Sequence, residues 1–137
     1  MRRLLLCLVV WVVLVTVPSA MAASPTVRLA LIHALRGCHV WATADSRPFG
    51  PTHTVLLKQG GRIEIRVSCP MAFNVKQLAG PKLALGVSPW QTGTTHLLVF
   101  KKAGVYKLMA MNVQSSEEMG LMTLGADNMP VLTVRVT

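Results

Sequence analysis

The chain has 137 residues, of which 14 are Lys or Arg and 5 are Asp or Glu, so its formal net charge is +9. Apolar residues make up 52% of it, and no Gly-x-y period or long polar tract is present, which excludes collagen-like and disordered proteins. This length predicts a single domain. Much of the apolar excess lies in the first 23 residues, so the whole-chain composition overstates the hydrophobicity of the folded part.

The N-terminus has the features of a secretory signal peptide. Arg2 and Arg3 precede an apolar run from Leu4 to Val15, and Ala20-Met21-Ala22 is a small-residue cleavage site. A membrane anchor is the alternative, but a spanning helix needs about 20 apolar residues. We therefore expect residues 1–22 to be a cleaved signal peptide and 23–137 to be one periplasmic or secreted domain, with no stable membrane span after signal removal. Loss of Arg2 and Arg3 lowers the net charge to +7.

Most of the remaining chain alternates polar and apolar residues with the two-residue period of β-strands. Segment 62–68 does so without a slip, and the Gly60-Gly61 turn before it predicts a hairpin with 54–58. The candidate strands in chain order are 26–31, 38–42, 54–58, 62–68, 73–78, 94–100, 105–111 and 132–136. Short strands about ten residues apart, with Pro or Gly in most gaps, are typical of an antiparallel β-sandwich or barrel.

Few segments depart from this pattern. Segment 32–35 could begin a helical turn, and Ser115 could cap a short helix, with Glu118 three residues further on. Segment 79–92 is rich in Pro and Gly, which predicts a long loop or an irregular edge strand.

The charged residues favour neither nucleic-acid binding nor catalysis. The cations are dispersed, and only Lys101 and Lys102 are adjacent, whereas nucleic-acid binders cluster them. We expect most cations to be solvated outer strand positions, with weak attraction to acidic polymers or an acidic partner as the alternative. Glu64 is an outward strand position, and the chain has no nucleophile elbow, HExxH, CxxC or phosphate loop, so we expect no enzyme.

The order of motifs over residues 37–137 resembles that of cupredoxins, the small exported blue-copper domains. The motifs are the Gly turn and alternating strand of 60–67, Phe73-Asn74-Val75, the Phe100 to Tyr106 segment with its Gly-x-Tyr, Cys38-His39-Val40-Trp41, and Asp127-Asn128 before the last strand. The resemblance implies a Greek-key antiparallel β-sandwich of the cupredoxin type. It also implies copper as the cofactor.

The blue-copper ligands of that family are largely missing here. Such a centre takes two imidazoles, a thiolate and a weak axial thioether. The family's first His falls at Phe73, its Cys falls near Met109 to Met111, and no His follows His96. The sequence therefore predicts that ordinary blue-copper electron transfer is not available to this chain.

Soft ligands remain at other positions of the resemblance. His39, Met71, Met119 and Met122 are the candidate metal ligands, because thioethers and an imidazole together suit Cu(I). Packing in the interior is the alternative for each of them. Met109 and Met111 share one strand face, and for this pair we expect core packing.

Cys38 and Cys69 are the two cysteines that remain after signal removal. In an oxidising compartment they are most simply a disulfide, which at a separation of 31 residues would contribute roughly 3 kcal/mol to stability. The alternative is that both are reduced and serve as thiolate ligands beside His39 and Met71.

Two hypotheses of function follow. In the first, the protein is an exported copper-binding domain that stores Cu(I) or exchanges it with a copper donor or acceptor protein, through His39 and the methionines. In the second, it is a metal-free secreted interaction module in which the former ligand region is repacked. The loop methionines favour the first, and Phe73 favours the second.

Overall fold

The computed structural model of the chain describes residues 25–33, 39–50, 52–113 and 129–137. These residues form β-strands and loops. The strands are β1 (Thr26–His33), β2 (His39–Thr43), β3 (Thr54–Leu57), β4 (Gly61–Val67), β5 (Phe73–Ala79), β6 (Thr95–Phe100), β7 (Gly104–Asn112) and β8 (Val131–Val136). No helix in this part of the chain is long and apolar enough to cross a membrane.

The strands build two four-stranded sheets that pack face to face. Sheet one has the order β2-β1-β4-β6, and sheet two has the order β3-β8-β7-β5. The predicted β-sandwich is thus confirmed, and each predicted strand has a counterpart. The sheets are mixed and not purely antiparallel, because β1 pairs with β4 in parallel and β3 pairs with β8 in parallel. The other pairings between described strands are antiparallel.

The core lies between the sheets and follows from the alternation of the strands. Along β4, Ile63, Ile65 and Val67 are fully buried, while Arg62 and Arg66 are exposed on the outer face. Removal of such side chains from water is the main favourable term in forming the sandwich. The edge-to-face contact of Phe100 with Tyr106 (ring centroids 4.9 Å apart) joins the two sheets near the turn between β6 and β7.

The predicted hairpin between segments 54–58 and 62–68 is wrong. Segment 54–57 does not form a hairpin with β4, because β3 belongs to sheet two and β4 to sheet one. The turn at Gly60 (φ +80°) carries the chain from one sheet to the other. The connection from β6 to β7 also crosses between sheets, so residues 101–104 do not close a hairpin either. Alternation along a strand fixes which residues face inward, but not which strand lies beside it.

The helical turn predicted to begin at 32–35 is wrong for its two described residues, because Ile32 and His33 continue β1. The signal at Ser115 to Glu118 lies outside the described residues. The Pro- and Gly-rich segment 79–92 is a loop after the end of β5, which is one of the two predicted alternatives. It forms one isolated β-bridge, between Trp90 and Phe73.

One end of the sandwich collects the segments that matter for a metal site, and we call it the loop end. There β1, β4 and β7 end, and β2, β5, β6 and β8 begin, as the strand directions require. Segment 68–72 connects β4 to β5 at this end. The indole Nε1 of Trp41 donates to the Pro130 carbonyl oxygen (2.9 Å) and ties sheet one to the start of β8.

Candidate metal centre

The predicted ligands fall on three segments whose described flanks all lie at the loop end. His39 opens β2, where its backbone pairs with His33 at the end of β1. Met71 lies in segment 68–72. Cys38, Met119 and Met122 lie outside the described residues; the last two fall between Val113, just after β7, and Met129, just before β8.

Met71 is the predicted ligand whose surroundings are best defined. Its side chain is half-buried and packs against the edge of the core. Its Sδ accepts a hydrogen bond from Asn112 Nδ2 (2.6 Å), at the end of β7. The thioether sulfur therefore lies where segment 68–72 meets the last residue of β7, and it contacts the polar side chain of Asn112 there.

Hydrogen bonds to its backbone hold segment 68–72 on three sides. The Ser68 amide donates to the Leu31 carbonyl (2.9 Å), and the Val113 amide donates to the Ala72 carbonyl (3.1 Å). The Thr92 hydroxyl donates to the Cys69 carbonyl (2.8 Å). A side chain on a segment fixed in this way has little freedom to lose when it takes up a ligand.

Cys69 is a fully buried free thiol in this structure. Its Sγ donates to the Leu31 carbonyl oxygen (3.4 Å), and burial raises the pKa of the thiol from 9.0 to about 11. A protonated thiol is a poor metal ligand, so this environment does not favour the thiolate role. Its pairing with Cys38 stays a prediction, because Cys38 lies outside the described residues.

Phe73, which the resemblance aligns with the first imidazole of a blue-copper centre, is a core residue. Its side chain is 0% exposed. Its amide and carbonyl exchange hydrogen bonds with Trp90 (2.9 and 2.7 Å), and Trp90 is itself buried. The position is therefore filled with apolar volume.

His96 is an imidazole at the loop end for which the sequence predicts no ligand role. Its ring stacks on Trp90 with 4.1 Å between centroids, and burial lowers its pKa below 6.5. The Thr94 hydroxyl donates its one proton to the Gln91 carbonyl (2.6 Å) and therefore accepts from His96 Nε2 (2.8 Å). The neutral ring thus carries its proton on Nε2, which leaves Nδ1 with the lone pair.

Met109 and Met111 do not pack in the core, so that prediction is wrong. They lie on the outer face of sheet two and are half-buried, while Leu108 and Ala110 point inward and are fully buried. Because the alternation of β7 begins with the inward Tyr106, the even-numbered residues occupy the core and the methionines face outward.

Asn112 is a site residue that the sequence reasoning missed. It continues the inward series of β7 as its one polar member, and it is only 9% exposed. A polar residue at an inward position is usually kept there by a specific partner. Once the inward register of β7 is known from the structure, this rule singles out Asn112.

Within the described residues, no group of three or more His, Cys, Asp or Glu side chains is placed to hold a metal ion. The donors at the loop end are thioether, amide and imidazole groups, and neither described carboxylate, Asp45 or Glu64, lies in 68–72 or beside Asn112. Such a donor set suits a soft ion such as Cu(I) and does not suit Ca²⁺ or Mg²⁺, which require oxygen ligands.

No family model matches the chain, and no curated protein matches it in sequence. Its structure is similar to a purple cupredoxin from Nitrosopumilus maritimus, with 14% identity over 79% of this chain and 98% of that one, at a TM-score of 0.46. It is also similar to a multi-copper oxidase from Pseudomonas thermotolerans, with 18% identity over 82% of this chain and 30% of that one, at a TM-score of 0.48. A copper nitrite reductase from Nitrosomonas europaea aligns with 14% identity over 82% of this chain and 42% of that one, at a TM-score of 0.46. The described part of the chain is thus similar to cupredoxins in fold, as the motif resemblance predicted.

Proposed function

We propose that this protein is an exported, cupredoxin-like copper-binding domain that holds Cu(I) at the loop end. His39, Met71 and one of Met119 and Met122 would be the ligands, and exchange with a copper donor or acceptor protein would be its role. The observation that carries the proposal is that the described flanks of all three ligand-bearing segments meet at one end of the sandwich. Met71 lies on one of these segments, with its side chain half-buried.

The chemistry of the donors decides the oxidation state of the metal. Thioether and imidazole ligands without a thiolate or carboxylate stabilise Cu(I) more than Cu(II). The ion would be held by soft, uncharged donors beside the buried Phe73 and Trp90, which keep water from one side of the site. This arrangement suits storage and transfer of the ion.

The buried Phe73 also supports a second candidate, the metal-free interaction module. In that case Met71 would be a packing residue whose sulfur is satisfied by Asn112. The two candidates differ in one measurable quantity, the Cu(I) affinity that depends on Met71 and His39.

The test is a Cu(I) titration under a competing chelator, with the protein recovered after export. Met71→Leu and His39→Ala should each weaken Cu(I) binding by about tenfold or more, since each removes one ligand of a three-ligand site. Met109→Leu is the matched control, because it removes a methionine from the outer face of sheet two. A wild-type affinity equal to that of the Met71→Leu, His39→Ala double variant would reject the copper proposal in favour of the metal-free module.

A further inference from the structure

A groove lies along the free edge of sheet one, away from the loop end. Among the described strands, β6 is the edge strand here and pairs with β4 on one side only. Segment 81–85 runs alongside with the alternating burial of a strand but forms no bridge to a strand among the described residues. The groove between them has a volume of about 380 Å³ and is lined by Lys82, Leu83, Ala84, Leu97, Val99, Lys101, Lys102 and Tyr106.

Segment 81–85 is held in place without pairing to β6. Its Leu83 and Leu85 side chains pack against the core. The Leu83 amide donates to Gln77 Oε1 (2.9 Å), and Gln77 Nε2 donates to the Pro81 carbonyl (2.7 Å). The side chain of Gln77 on β5 therefore holds segment 81–85 in place through two hydrogen bonds.

The backbone polar groups on the outer side of β6 face this groove. The Val67 amide donates to the Thr94 carbonyl, and the Gly60 amide donates to the Phe100 carbonyl. Since hydrogen bonding in an antiparallel pair alternates from one residue to the next, residues 94, 96, 98 and 100 direct their backbone groups toward β4. The backbone groups of Leu97 and Val99 then point toward the open edge.

The side chains around this edge are apolar and cationic. Leu97 is 54% exposed and Val99 is 37% exposed, and both lie on the outer face of sheet one. Lys82, Lys101 and Lys102 surround them. Of the two side-chain carboxylates in the described residues, Asp45 pairs with Arg47, and Glu64, which lies opposite Leu97 on β4, pairs with Arg28.

We propose that this groove binds an extended acidic segment of a partner protein, which adds as a strand to the edge of β6. Main-chain hydrogen bonds from Leu97 and Val99 would hold the segment, its apolar side chains would contact Leu97 and Leu83, and its carboxylates would face the lysines. Strand addition to a free sheet edge is a common mode of peptide recognition.

Charge selects this occupant over a second copy of the chain. Two copies, each with a formal charge of +7 after signal removal, would repel one another and would bring an excess of cations to the lysines. Lysines beside an edge strand also oppose its pairing with the edge of another copy. An acidic strand would be attracted by the lysines instead, and an extended segment can enter a groove that the flat surface of a bilayer cannot.

The test measures the binding of a blocked, fluorescently labelled heptapeptide of alternating Glu and Val by anisotropy at low and high salt. The double variant Lys82→Glu, Lys101→Glu should weaken binding by about tenfold or more. The matched control is Lys76→Glu, Lys107→Glu, which makes the same change of charge at exposed positions on the outer face of sheet two and should change binding by less than about threefold. Circular dichroism and thermal unfolding show whether each variant is folded.

A second probe isolates the main-chain bonds. The same peptide with alternate residues N-methylated keeps its charge but loses the donors on one edge, and it should not bind measurably. Equal binding of the two peptides, or no binding of the unmethylated peptide, would overturn the proposal. So would capture of the protein by vesicles of phosphatidylcholine and phosphatidylglycerol without binding of the peptide, or self-association in sedimentation experiments that the peptide does not reverse.

Discussion

The buried thiol of Cys69 makes a quantitative prediction about its own reactivity. In a Cys38→Ala variant, which leaves no partner for a disulfide, Cys69 should react with a thiol reagent very slowly while the protein is folded. Its pKa of about 11 leaves about one thiol in a thousand ionised at pH 8, against about one in ten at the ordinary 9.0. The lower thiolate fraction alone slows the reaction about a hundredfold, and the full burial of the side chain slows it further.

The assay compares labelling rates of the native and the denatured variant between pH 7 and pH 10, and a Cys38→Ala, Cys69→Ser variant gives the background. A native rate within about threefold of the denatured rate would refute the reasoning. The same shift predicts the sign of a stability change. Because the folded protein holds the proton more tightly, the contribution of this thiol is complete below about pH 9 and is lost as the pH rises toward 11.

Three further predictions concern stability, each measured by urea unfolding. Trp41→Phe should destabilise the fold by about 2 kcal/mol, because it removes the hydrogen bond to Pro130 and some ring volume; a cost near zero would show that this bond does not hold the sheets together. Gly80→Ala should cost about 2 kcal/mol or more, since φ is +100° and a Cβ would lie 2.6 Å from the Val105 carbonyl oxygen; an unchanged midpoint would contradict the packing described. The pKa of His96 is lowered, so its contribution is complete above about pH 6.5 and is lost as the pH falls through the folded value; a His96→Gln variant should lose that part of the pH dependence, and retention of it would assign the effect to another group.

The strands could be predicted from the sequence because alternation directly reflects burial. Segment 62–68 predicted β4 almost to the residue, and the same pattern found β8. The partners of these strands could not be predicted in this way. A turn such as Gly60-Gly61 suits either a hairpin or a crossing between sheets, and long-range packing of β3 against β8 decides between them.

In the candidate site, too, local sequence predicts some features, whereas others depend on long-range packing. The absence of an imidazole at Phe73 was evident from the sequence, and the structure places that side chain in the core. The inward or outward sense of Met109 and Met111 required the register of β7, which a single sequence leaves open by one residue. The contact between Met71 and Asn112 joins positions 41 residues apart, so the local sequence pattern could not predict it.

The central place of the last strand has a consequence for when this domain folds. β8 lies between β3 and β7, and its pairing with β3 joins residues near position 55 to residues near position 134. Without β8, the described strands of sheet two include no interior strand, and the core loses one wall. A chain that emerges vectorially from a ribosome or an export channel would therefore remain incompletely folded until β8 has emerged. The order of synthesis thus delays folding of the domain, and a truncation of β8 should be far more harmful than its short length suggests.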